Sequence, residues 1–204
     1  MTIRVHQHDL PDLRGYSGAV AVDTEALGLN PMRDRLCVVQ LSPGDGSADI
    51  VQIAAKPQPA PNLLALLADD SRPKIFHFAR FDIALLFHTF GVMAKPIYCT
   101  KIASRLTRTY TDRHGLKDLV REFLDIEISK QQQSSDWAAA ELSKDQLDYA
   151  ASDVLYLHRL KEELDRRLRR EGRVDLAEAC FGFLTTRARL DLAGWAGEDI
   201  FAHL

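Results

Sequence analysis

Asp23 and Glu25, two residues apart, follow the apolar run Ala19-Val20-Ala21-Val22. If that run is a buried strand, alternation of side chains across it sends both carboxylates to the same side at its carboxyl end. Two hard oxygen donors converging on one point suit Mg²⁺ or Mn²⁺, which prefer carboxylate and water oxygen. Spacing alone is weak support. With 29 acidic residues among 204, chance supplies about four acid-x-acid pairs, and a solvated strand end is the plain alternative. Asp125-Ile126-Glu127 reads as that alternative. Position favours the first pair, because open α/β sheets place ligand sites at the carboxyl edges of strands.

Asp82 occupies a similar junction, after Lys74-Ile75-Phe76-His77-Phe78 and at the opening of the next helix. A helix cap is an equally good use for it, and one carboxylate can serve both ends. Tyr149 and Asp153 stand four apart in a segment of helical periodicity, which stacks a phenol one turn from a carboxylate. About 0.7 such Tyr-x-x-x-acid pairs are expected by chance. Between them Ala150, Ala151 and Ser152 are small enough to let the helix close onto a sheet.

The elements that must position these groups follow from periodicity. Residues 19–22, 36–41 and 48–53 read as strands, the last two joined by the turn residues Ser42-Pro43-Gly44-Asp45-Gly46, so the first third predicts an antiparallel meander. From Asn62 the period changes: short helices at 63–67 and 83–90 alternate with strands at 74–78 and 97–99. Apolar residues at three- and four-residue spacing then predict helices over 117–124, 144–170 and 174–192, with 129–135 as a mobile loop. A meander, strand-helix alternation and a helical second half predict an α/β fold, a mixed β-sheet flanked by helices. It is read as one domain over 1–204, with a core at about 17–170 and a helical C-terminal extension over 171–204.

Composition is that of a globular chain: 46% hydrophobic and 27% charged, with 26 Lys and Arg against 29 Asp and Glu. A net charge of -3 excludes a bulk polycation, so contact with phosphates needs a local basic patch or bound metal. Cys37, Cys99 and Cys180 have no Cys-x-x-Cys spacing and read as reduced packing residues. No signal-peptide core and no apolar run of membrane-spanning length is visible, so a cytoplasmic location without membrane contact is the expectation. His77 and His88 lack a partner at zinc spacing.

Val22-Asp23-Thr24-Glu25, His77-Phe78-Ala79-Arg80-Phe81-Asp82 and Tyr149-Ala150-Ala151-Ser152-Asp153 resemble, in order and spacing, the three exonuclease motifs of the DEDD superfamily. The tyrosine marks the DEDDy branch. Lys130-Gln131-Gln132-Gln133-Ser134-Ser135-Asp136-Trp137 and Leu142-Ser143-Lys144-Asp145-Gln146-Leu147-Asp148-Tyr149 resemble the ribonuclease D family, and the compactness of the chain is similar to its short nanoRNase C type. The resemblance covers roughly 17–165. It departs at Phe78, where many members have Asn, and at Cys99-Thr100, where they have Asp-Thr.

The resemblance implies an RNase H-like fold and a 3′-to-5′ exoribonuclease that favours short oligoribonucleotides or dinucleotides and releases nucleoside 5′-monophosphates. Asp23, Glu25, Asp82 and Asp153 would hold two divalent ions, Mg²⁺ or Mn²⁺, and Tyr149 would orient the attacking water. Thr24, Leu27, Leu29, His77 and Phe78 would contact substrate, Thr24 through its backbone N–H, Leu27 or Leu29 as an apolar wedge between the last two bases, and Phe78 by stacking on a base. Short RNA, or DNA, is the implied partner, together with copies of the chain itself in a ring-like homo-oligomer. General ribonuclease D-like trimming, a DNA exonuclease and a catalytically silent nucleic-acid-binding module are the alternatives. The basic stretch Lys101, Arg105, Arg108, Arg113, His114 and Lys117 reads equally as phosphate contact or solvated face, and Arg166, Arg167, Arg169, Arg170 and Arg173 as surface pairing. Trp137 reads as a loop anchor, with stacking on a base as the alternative, while Phe181, Phe183 and Leu184 offer a subunit contact.

Overall fold

A computed structural model describes residues 1–56, 58–129 and 131–203, so Lys130 of the Gln-rich stretch lies outside the described residues. Strands β1 (Thr2–Gln7), β2 (Val20–Ala26), β3 (Leu36–Ser42), β4 (Ser47–Gln52), β5 (Lys74–Phe76) and β6 (Ile97–Cys99) form one sheet in the order β1-β4-β3-β2-β5-β6. β2, β3 and β4 are the antiparallel meander that the sequence predicts. β5 and β6 extend it in parallel on the β2 side, which makes the sheet mixed.

Every residue of β3 is buried. An apolar run of that kind belongs to a strand covered on both faces. Helix α5 (Lys144–Leu155) lies against β2, β3 and β4, and α2 (Ala79–Phe90) against β3, β5 and β6. Around them stand α1 (Pro61–Ala68), α3 (Thr100–Thr107), α4 (Leu116–Leu124), α6 (Leu157–Arg170) and α7 (Val174–Leu190), and α7 runs into a wide helical turn at Asp191–Trp195. In the β3–β4 turn Gly44 has φ +90, and a Cβ there would come within 2.9 Å of the His158 ring on α6, so this turn requires glycine.

Several elements differ from the sequence expectation. The polar N-terminus forms β1, paired in parallel with β4. The first meander strand does not stop at Val22: Asp23, Thr24 and Glu25 stay paired with Gln40, Val39 and Val38, and the register shifts only after Glu25. The strand expected over 74–78 ends at Phe76, because Phe78 turns to φ 70 and starts α2. The single helix expected over 144–170 is divided at Tyr156, whose ψ of -7 breaks the ladder. Phe181 and Leu184 are buried, with the Phe181 ring 4.7 Å from Tyr98, so only Phe183 of that group remains at the surface. Cys37 and Cys99 are buried as packing residues, whereas Cys180 is exposed.

Candidate active site

β2 carries Asp23 and Glu25 on one side of the sheet, and α5 crosses that edge. The start of α5 is fixed by a capping box, in which Ser143 accepts from the Gln146 backbone N–H and the Gln146 side chain accepts from the Ser143 backbone N–H. Ala150 and Ala151 are buried, so the helix sits close and delivers Asp153 to β2. Asp23, Glu25 and Asp153 each bring one carboxylate oxygen to within 4.8 Å of the others. Asp82, buried on the first turn of α2, is outside that tight triplet but next to it. Its Oδ1 accepts the Thr24 hydroxyl at 2.6 Å, from the residue between Asp23 and Glu25.

Burial and crowding of like charges raise these acids. Burial pushes the Asp23 carboxyl well above the carboxylate range, reinforced by Asp82, Asp153 and Glu25. Glu25 is pushed up to about 9 by burial, then by Asp153 and Asp82. Burial raises Asp82 to about 7, and the Thr24 hydroxyl opposes the rise. Three hard oxygen donors that are costly to ionise without a counter-charge fit a divalent cation. Gln40, opposite Asp23 on β3, donates to Asp23 Oδ2 at 3.3 Å. A lone glutamine in an otherwise apolar strand was the available signal for this contact.

Tyr149 is half-buried beside Asp153. Burial, then the charges of Asp153, Glu25 and Asp23, pushes its hydroxyl above the usual phenol range. Trp137 is buried and packs on it, with ring centroids 5.9 Å apart. That burial removes Trp137 as a stacking surface for a base. The segment leading to Trp137 is held by the Gln146 amide, which donates to Ser135 Oγ at 3.1 Å and to the Asp136 carbonyl at 3.0 Å.

The residues expected at substrate have different surroundings. Leu27 and Leu29 are 56% and 88% exposed on the loop after β2. Thr24 is buried with its hydroxyl on Asp82. Thr100 Oγ1 donates to the Phe76 carbonyl and so accepts from His77 Nδ1 at 2.9 Å, which fixes the protonated nitrogen of that ring. Phe78 is exposed, with the Lys101 ammonium 4.5 Å from its ring centroid. Both line a groove of about 740 Å³ between α3 and α7, floored by Ile102, Phe183 and Leu184. The basic stretch does not act as one patch. Lys101 and Arg105 reach this groove, whereas Arg108 is buried against Glu122 and His114 against Ser104. On α6, Arg166 and Arg167 pair with Glu163 at the surface, as expected.

The family described as 3′-5′ exonuclease matches residues 9–169, and the chain belongs to that family. Ribonuclease D of Acidiphilium cryptum is 36% identical over 156 residues, 76% of this chain and 39% of that protein. Ribonuclease D of Granulibacter bethesdensis is 37% identical over 155 residues, again 76% and 39%. The chain thus spans about two fifths of the length of the curated relatives it matches. Among solved structures, Brucella melitensis NrnC with bound Mg²⁺ is 65% identical with TM-score 0.96, and NrnC bound to pGG 66% with 0.97, each match covering 100% of both chains. Escherichia coli RNase D, an exoribonuclease involved in structured RNA processing, shares the RNase H-like fold at 24% identity and TM-score 0.77, over 87% of this chain and 46% of that one. No helix among the described residues is long and apolar enough to cross a membrane.

Proposed function

We propose that the protein is a metal-dependent 3′-to-5′ exoribonuclease that favours short oligoribonucleotides or dinucleotides and releases nucleoside 5′-monophosphates. The observation that carries this reading is the meeting of Asp23, Glu25 and Asp153, from β2 and α5, within 4.8 Å. Asp82 completes the ligand set, for two ions of Mg²⁺ or Mn²⁺. Such ions supply an activated water and neutralise charge on the leaving 3′ oxygen.

The chain's own groups do the rest. The four carboxylates would hold the two cations in their charged form, and Thr24 and Gln40 fix the orientation of Asp82 and Asp23. Tyr149 stands half-buried beside Asp153, and an ordinary phenol is protonated at neutral pH, so its hydroxyl is placed to orient a water by hydrogen bonding. Leu27 and Leu29 present an apolar edge to the last bases. The exposed Phe78 ring offers a stacking face beside the Lys101 charge, and His77 lines the approach.

Support for short substrates comes from the full-length likeness to NrnC and the pGG bound to that protein. The ribonuclease D relatives favour a second reading, general trimming of longer RNA. Incubation of a 5′-labelled dinucleotide, a 20-mer RNA and the matching DNA with Mg²⁺ separates them. Fast conversion of the dinucleotide alone supports the first, equal rates on dinucleotide and 20-mer support the second, and metal-independent binding without turnover leaves only a binding module. A homo-oligomer in the cytoplasm belongs to the same proposal, and subunit mass in solution tests the assembly.

A further inference from the structure

The family match ends at residue 169, yet a residue beyond it grips the turn that carries Asp82. Arg80 lies two residues before Asp82, and its Nε and Nη2 donate to Asp191 Oδ2 and Oδ1 at 2.5 and 2.8 Å. Nη2 also donates to the Ala196 carbonyl at 2.6 Å. From α7, Arg187 Nε donates to the same Asp191 carboxylate at 2.8 Å. The Asp191 side chain is 10% exposed, a carboxylate enclosed between two guanidinium groups. Such planar, bidentate, charge-assisted contacts fix direction as well as distance.

The first turn of α2 has reason to need this support. It begins from Phe78 in the left-handed region, a conformation unfavourable for a bulky side chain, and no side chain caps it. Arg80 is anchored to a segment 111 residues away in the sequence. Asp82 has its own hydrogen bond from Thr24, but its backbone position is set by this turn.

We infer that Asp191 is a positioning residue for the active site: through Arg80 it holds the first turn of α2 so that Asp82 meets the cation. The C-terminal extension is on this account a working part of the metal centre. The inference rests on the reading of Asp82 as a metal ligand, and its test does not require turnover.

Mn²⁺ binding to the full-length protein is measured by calorimetry without substrate, alongside thermal unfolding and dinucleotide hydrolysis, for wild type, Asp191→Asn, Arg80→Lys, Arg80→Gln, Asp191→Asn with Arg80→Gln, and Arg187→Gln. Asp191→Asn and Arg80→Gln are expected to bind Mn²⁺ about tenfold more weakly, with kcat lowered and KM within about twofold. The double variant is no worse than either single, because both remove one contact. Arg80→Lys, which keeps the charge but loses the fork, falls between and serves if Asp191→Asn fails to fold. Arg187→Gln lowers the melting temperature but leaves Mn²⁺ binding near wild type. Mn²⁺ affinity unchanged in Asp191→Asn or Arg80→Lys while the melting temperature falls would overturn the inference and leave a purely structural clamp. Wild type that binds Mn²⁺ without hydrolysing any oligonucleotide would instead sink the proposed activity.

Discussion

The Thr24 hydroxyl donates to Asp82 Oδ1 at 2.6 Å, tying the strand that carries Asp23 and Glu25 to the helix that carries Asp82. Both partners are buried, so the bond orients the carboxylate and favours its charged form. Thr24→Val keeps the shape and removes the donor. Turnover is expected to fall about 10- to 100-fold with a matching rise in the Mn²⁺ concentration needed, and Thr24→Ser restores most of it. A Mn²⁺ titration of dinucleotide hydrolysis for the three proteins checks this, and equal curves for Val and Ser would remove the hydroxyl from the account.

Trp137 and Tyr149 separate chemistry from packing at the same place. Tyr149→Phe keeps the ring on Trp137 and loses only the hydroxyl, so kcat should fall about 100-fold with the melting temperature unchanged. Trp137→Leu opens space in a buried contact. It is expected to destabilise the fold by about 3 kcal/mol and to slow turnover by letting Tyr149 move. Melting curves read beside single-turnover rates distinguish the two, and a Tyr149→Phe enzyme of full activity would exclude the phenol from catalysis.

The raised acids predict how the metal-free protein responds to pH. Glu25 and Asp82 hold protons up to about 9 and about 7 in the folded state, while an unfolded chain releases them near pH 4. Folded-state values above the unfolded ones contribute stability that is complete below about pH 4 and is lost as pH rises through about 7 and about 9. With EDTA present the melting temperature should therefore fall from pH 6 to pH 9. Glu25→Gln should melt higher than wild type at pH 9 by about 2 to 4 °C per kcal/mol recovered. Mg²⁺ reverses the slope, because its ligands must be deprotonated. A wild-type melting temperature that climbs with pH in EDTA would contradict the crowded-carboxylate picture.

How much of this was legible in sequence depends on how local its cause is. The meander, the buried β3 and the acid pair on β2 follow from periodicity within a few residues. β1 was not legible: Arg4, His6 and Gln7 give it no apolar run, and it holds its place by pairing with β4, some 45 residues away. The division at Tyr156 was hidden because Leu157, Leu160, Leu164 and Leu168 carry the helical spacing straight on. The bond from the Thr24 hydroxyl to Asp82 was not legible, since neither sequence position reveals that a helix 58 residues later crosses above it. Arg80 and Asp191 have no shared periodicity at all, so only the folded chain shows their contact.

Asp49 gathers the N-terminal edge of the sheet. It is buried on β4, and its Oδ1 accepts from Arg4 Nε and His6 Nε2, each at 2.7 Å, while its Oδ2 accepts from Arg4 Nη2 at 2.8 Å and from the Tyr16 hydroxyl at 2.7 Å. Burial alone would raise this carboxyl, but the hydrogen bonds from Arg4, Tyr16 and His6 outweigh it and hold Asp49 down to about 2. A depressed folded-state value contributes stability that is present above the unfolded value near 4 and lost as pH falls through about 2. Acid should release β1 in that window before the central strands, as hydrogen exchange of residues 2–7 against 36–42 would show. Asp49→Asn removes the charge at neutral pH and leaves Arg4 and Tyr16 with poorer partners, a loss of about 2 kcal/mol and about 4 to 8 °C in melting temperature. Because the cluster sits at the edge away from β2, dinucleotide kcat is expected to stay within about twofold. An Asp49→Asn protein that keeps its stability but loses turnover would show that this edge communicates with the metal site.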